Sequence, residues 1–120
     1  MAKKKNYYFT QETEDAIIRY NSEEDPAVRN QIYSKEIDYP FDKLAENIIH
    51  TFKFYYFDVS PDEVKHEVVS FLVMNMHKFK EGKGKAFSYF SVVAKNYLIL
   101  NNNANYKRYK THHDLIVLDS

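Results

Sequence analysis

SPDEVKHEVVSFLVMNMHKF, residues 60–79, is the most legible piece of this chain. Ser60 supplies a hydroxyl that can cap a helix, Pro61 has no N–H to leave unpaired at the first helical position, and Glu63 stands where a capping box needs a carboxylate. Behind them Val64, Val68, Phe71, Leu72, Met76 and Phe79 recur at helical spacing, so a helix over about 61–79 has one apolar side. Glu63, Glu67, Ser70 and Met74 keep the same rhythm on a different side and form a second stripe.

The punctuation on either side is also helical. Thr10 is placed to cap a helix over Gln11–Tyr20, with Glu12, Glu14 and Asp15 near its positive end. Asp25-Pro26 reads as a cap followed by proline at the first position, opening a helix to about Ile37. Pro40 interrupts that pattern, and a further helix is expected from Phe41 to about Tyr56, with Leu44, Ile48, Phe52 and Tyr55 on its apolar side. Lys80–Lys85 is a basic loop holding both glycines, Gly82 and Gly84. Beyond it Ala86–Leu100 reads as a helix that can bury Phe90, Val93, Ala94, Tyr97 and Leu98, with Asn101-Asn102-Asn103 closing it.

Composition agrees. A chain of 120 residues with 44% apolar content supports one core and not two. Two glycines and three prolines are too few for a fold of strands and tight turns. The expectation is all-α: a single compact helical domain of four to five helices over residues 10–110, after a flexible N-terminus (1–9) and before a short irregular tail (111–120). The absence of cysteine excludes disulfide scaffolds, thiol catalysis and cysteine-bound metal. No apolar run reaches the ~20 residues of a membrane span, and Met1–Lys5 has no apolar stretch behind it, so neither a membrane nor a signal peptide is expected. The expected setting is the cytoplasm.

Equal numbers of bases and acids, 17 each, conceal a segregation. Thr10–His77 carries fourteen acids against six bases, whereas Lys78–Lys110 carries eight bases and the single acid Glu81. Such asymmetry points to two dissimilar partners, one of them polyanionic. The plain alternative is a solvated basic helix. Aromatic residues interleave with the bases: Phe87, Tyr89 and Phe90 gather at the start of the last helix, between Lys83 and Lys85 on one side and Lys95, Asn96, Lys107, Arg108 and Lys110 on the other. Bases neutralise phosphates and ring faces receive unstacked nucleobases, at ~1–3 kcal/mol for each base. Because neighbours on a helix point different ways, Phe87, Tyr89 and Phe90 are not all expected in the core, whereas Tyr97 is.

Catalytic patterns are weak by comparison. Glu63-Val64-Lys65-His66 has the Glu-x-x-His spacing of carboxylate di-iron bundles, but those sites use two such motifs and the chain has one, with Glu46 and His50 four apart elsewhere. His112-His113 stands alone in a polar tail, Gly82-Lys83-Gly84 matches no phosphate-cradling pattern, and no spaced nucleophile triad is present. No enzyme, no metal and no cofactor is expected.

The series Glu63-Val64-Lys65-His66-Glu67, Leu72, His77-Lys78-Phe79 and Gly84-Lys85-Ala86-Phe87-Ser88-Tyr89-Phe90 resembles region 2 of bacterial RNA polymerase sigma factors, over roughly Pro40 to Lys110. The small size looks most like the late-transcription sigma factors of T-even-type bacteriophages. The resemblance implies a non-catalytic specificity factor in the cytoplasm of an infected bacterium. It would bind host core polymerase and recognise and melt a T/A-rich −10-type late promoter element.

Carried over residue by residue, it makes Glu63 and Glu67 contacts for the clamp helices of the largest polymerase subunit, with His66, Ser70 and Met74 on neighbouring surface. Phe90 falls at the aromatic that stacks on a flipped adenine. Lys83, Lys85, Phe87, Tyr89, Lys95, Asn96, Lys107 and Arg108 become DNA contacts. Val93 and Ala94 depart from the family's tryptophan pair, and Asn96 replaces an arginine, so the wedge that opens the duplex is diminished. The end of the chain offers Leu115, Ile116 and Leu118 either to a sliding clamp, as the phage relatives use their C-terminal peptide, or to the domain itself. With no −35-reading domain expected, the resemblance implies promoter engagement that is short-range or helped by a coactivator. The alternative function is general binding of single-stranded nucleic acid.

Overall fold

The computed structural model describes residues 8–52, 60–82 and 84–101. Among them the chain forms helices and turns and no strand, as one all-α domain. The helices are α1 (Gln11–Ser22), α2 (Pro26–Ile32), α3 (Asp38–Phe52), α4 (Pro61–Met74) and α5 (residues 86–101). Tyr33–Ile37 between α2 and α3 is a π turn, and Met76–Lys78 after α4 is a 3₁₀ turn.

The expected caps are in place. The Thr10 hydroxyl accepts from the Glu12 N–H, the Asp25 carboxylate from Ala27, and the Ser60 hydroxyl from Glu63, whose own carboxylate accepts the Ser60 N–H. The α5 N-terminus is capped from across the chain: the Ala86 N–H donates to Glu14 Oε1 at 2.8 Å, and Lys85 Nζ reaches Gln11 Oε1 at 3.3 Å. Glu14 therefore complements the positive end of α5 as well as that of its own helix.

Three sequence expectations need correction. Pro40 does not divide two helices; the backbone runs helically from Pro26 to Phe52, with the π turn just upstream of the proline. An α-helix turns about 100° per residue, so Ile32 and Ile37, five apart, would face about 140° away from each other. The extra residue of the π turn brings both onto the core side, where Ile37 is fully buried. It also falls where the Pro40 ring would meet the carbonyl four residues back.

The helix expected over 61–79 ends at Met74. Asn75 bonds back to the Phe71 carbonyl at 2.8 Å, and Asn21 of α1 donates to the carbonyls of Met76 (2.9 Å) and Phe79 (3.5 Å). Asn21 thus pairs carbonyls of the turn that follows α4.

The domain also begins before Thr10. Phe9, placed in a flexible terminus by the sequence reading, is buried over Phe41 and edge-on to Phe87 at 5.6 Å. A large ring removed from water outweighs the cost of ordering two residues of chain.

One core joins all five helices: Ala16 and Ile17 from α1, Ile32 and Ile37, then Phe41, Leu44, Ala45, Ile48 and Ile49 from α3, Val68, Leu72, Met76 and Phe79, and Ala86, Phe90, Ala94 and Leu98 from α5. The stacked pair Phe71–Tyr97 at 4.6 Å and the tilted pair Phe79–Tyr89 at 5.5 Å run α4 and α5 antiparallel. No described helix is long and apolar enough to cross a membrane.

Candidate functional site

Helix α4 packs between α3 and α5, and a groove opens on each side of it. The two differ in chemistry. Toward α3, a groove of about 600 Å³ is lined by Tyr33, Asp38, Asp42, Asp62, Lys65, His66, Val69, Ser70, Val73 and Met74. Lys65 is held by Asp42 at 3.3 Å and Glu46 at 3.8 Å, so its charge is largely spent within the groove. Asp38 and Asp62 leave the lining acidic, over an apolar floor of Val69 and Val73. Met74 is 69% exposed at the edge, a large apolar side chain facing solvent.

Tyr33 lines the same groove, and its phenol is pushed well above the ordinary value of 10.0, first by burial and then by the charge of Asp38, to which it donates. A phenol that holds its proton more tightly when folded stabilises the fold fully below pH 10.0, and that contribution is lost as pH rises. Urea midpoints taken between about pH 9 and about pH 11 should therefore fall more steeply for the unmodified chain than for Tyr33→Phe. Equal slopes would remove Tyr33 as the cause.

Toward α5, a groove of about 530 Å³ is lined by Phe71, Asn75, Lys78, Tyr89, Val93, Asn96, Tyr97, Leu100 and Asn101. Its walls are aromatic and apolar, its polar groups are three amides and two phenols, and Lys78 supplies a cation near the 3₁₀ turn. Leu100 is 71% exposed. The Tyr97 phenol is raised by burial and by Glu67, which accepts its hydrogen bond, while Asn101 bonds the same oxygen.

The five residues assigned to polymerase are all exposed but do not share one face. His66, Ser70 and Met74 line the α3/α4 groove. Glu67 reaches Tyr97 on the other side, and Glu63 is engaged at the helix cap. Among the residues assigned to DNA, Phe90 is corrected: it is fully buried, with Phe41 at 5.2 Å, Phe79 at 5.8 Å and Tyr89 at 4.9 Å, so its ring offers no face to a base. Phe87 is half-buried against Phe9 and Tyr8. Tyr89 and Asn96 line the α4/α5 groove, Lys95 is exposed on α5, and Lys85 contacts α1. Lys83, Lys107, Arg108, Leu115, Ile116 and Leu118 lie outside the described residues.

Sequence reasoning passed over Phe71, Asn75, Lys78, Leu100 and Asn101 as site residues and assigned Tyr97 to the core. Their signal was present: Phe71, Asn75 and Lys78 are spaced four and three apart, from the last turn of α4 into the 3₁₀ turn that follows. Asp38 and Asp42, four apart opposite Lys65, were overlooked for the same reason, because a groove needs two helices to define it. Among the described residues no three His, Asp or Glu side chains gather as a metal site would require.

No protein-family model, curated protein or solved structure matches this chain.

Proposed function

We propose that this chain is a sigma-type specificity factor of the late-transcription phage class. It binds a bacterial core RNA polymerase through the α3/α4 groove and an opened T/A-rich −10-type promoter strand through the basic loop and the α4/α5 side, and it catalyses nothing itself. The observation that carries this reading is the presence of two chemically unlike grooves on opposite sides of one helix. An acidic groove with an apolar floor and an exposed methionine suits a helix that presents cations beside apolar side chains. Rings, amides and a lysine suit a melted strand. The charge segregation along the chain and the region 2-like order of motifs add to it.

The test is capture of purified bacterial core polymerase on the immobilised full chain. The unmodified protein should retain polymerase, and Ser70→Arg with Met74→Arg, which puts two cations into the acidic groove at exposed positions, should reduce recovery by about tenfold or more. Equal recovery would defeat the assignment of that groove. Recovery at background for the unmodified chain, with single-stranded DNA still bound, would favour general single-strand binding instead.

A further inference from the structure

We infer that the α4/α5 groove seats one unpaired nucleobase of a DNA strand, with the adjoining phosphate on Lys78. This rests on the DNA-binding half of the function proposed above. It moves the reading of a base away from Phe90, which is sealed in the core, to side chains that face solvent.

Four features of the groove support a base in particular. Tyr89 and Tyr97 are half-buried and each is backed by another ring, Phe79 at 5.5 Å and Phe71 at 4.6 Å. A ring already held in place loses little freedom when a base stacks on it, and such stacking is worth ~1–3 kcal/mol. The amides lie along the same lining. Asn75 commits one amide N–H to the Phe71 carbonyl at 2.8 Å, which leaves its oxygen and its second N–H, and Asn96 is exposed with both functions. A base edge presents donors and acceptors side by side, which an amide pairs in kind.

Charge gives the site a direction. Lys78 is in the lining, beside the 3₁₀ turn, whereas Glu67, outside the lining, is bonded to the Tyr97 hydroxyl. A phosphate is attracted to the first and repelled by the second, so the backbone passes Lys78 and the base points toward Tyr97. The groove volume of about 530 Å³ is in the range of small-molecule clefts.

The experiment is a ¹⁵N–¹H NMR titration of the free full chain with a single-stranded T/A tetranucleotide, which detects weak binding and locates it. Side-chain amide signals of Asn75, Asn96 and Asn101 should move, and Tyr89 and Tyr97 ring protons should shift upfield. Lys78→Glu and Asn96→Asp, both at exposed positions, should weaken the interaction by roughly tenfold each while circular dichroism and the remaining amide spectrum stay unchanged. Shifts that cluster elsewhere, or none at all, overturn the inference. So does loss of polymerase capture by these two variants without any oligonucleotide response, which would make the groove a protein-docking surface. Groove shifts with the tetranucleotide but no polymerase capture would sustain this inference and sink the sigma-type reading.

Discussion

Phe90→Ala should lower the stability of this domain by about 3–5 kcal/mol, a large share of the ~5–15 kcal/mol that holds a typical domain together. The ring is fully buried and touches Phe41 of α3, Phe79 after α4 and Tyr89 of α5, so it ties three parts of the core at one point. Truncation removes its apolar contacts and leaves a space that helices anchored on several sides cannot fill. Urea unfolding followed by circular dichroism measures the loss, and Phe90→Leu, which keeps most of the volume, should recover much of it. A Phe90→Ala protein with unchanged stability and weakened DNA binding would return the ring to the surface.

Ala94→Trp should be nearly as damaging, at or above the upper end of the ~1–3 kcal/mol expected for inserting a few methylenes into a packed core. Ala94 is fully buried on the core side of α5, between Phe90 and Leu98 one turn away on either side. Val93 next to it is half-buried and lines the α4/α5 groove, where a larger side chain has open space. Val93→Trp should therefore leave the urea midpoint close to that of the unmodified chain while occluding the groove to the tetranucleotide. The two neighbours make a pair in which one variant reports on packing and the other on the site. Similar losses of stability for both would mean that the groove is not open as described.

Much of the fold was written locally. Thr10, Asp25-Pro26 and Ser60-Pro61-Asp62-Glu63 marked helix starts because a cap depends on a side chain and a backbone N–H two or three residues away. The apolar positions of α4 and α5 were legible because helical spacing alone puts Val64, Val68 and Leu72, and likewise Phe90, Ala94 and Leu98, on one side. The end of α4 was not, because the turn that follows it is held by Asn21, some fifty residues earlier in the chain. The π turn before Pro40 was also missed, since it answers to the packing of Ile32 and Ile37 together and not to the proline alone.

The candidate site divides the same way. Sequence order was enough to find that acids and bases separate, that aromatic residues collect near the bases, and that Ser70 and Met74 lie on a stripe apart from the core. Which rings are exposed was beyond it: Phe87, Tyr89 and Phe90 are equivalent in type and close in order, and only the approach of Phe41 and Phe79 decides that Phe90 is enclosed while Tyr89 borders a groove. Both grooves are properties of helix pairs. Neighbouring residues announce a helix and its apolar side, because those depend on interactions within a few positions. A cleft exists only once distant segments have packed against each other.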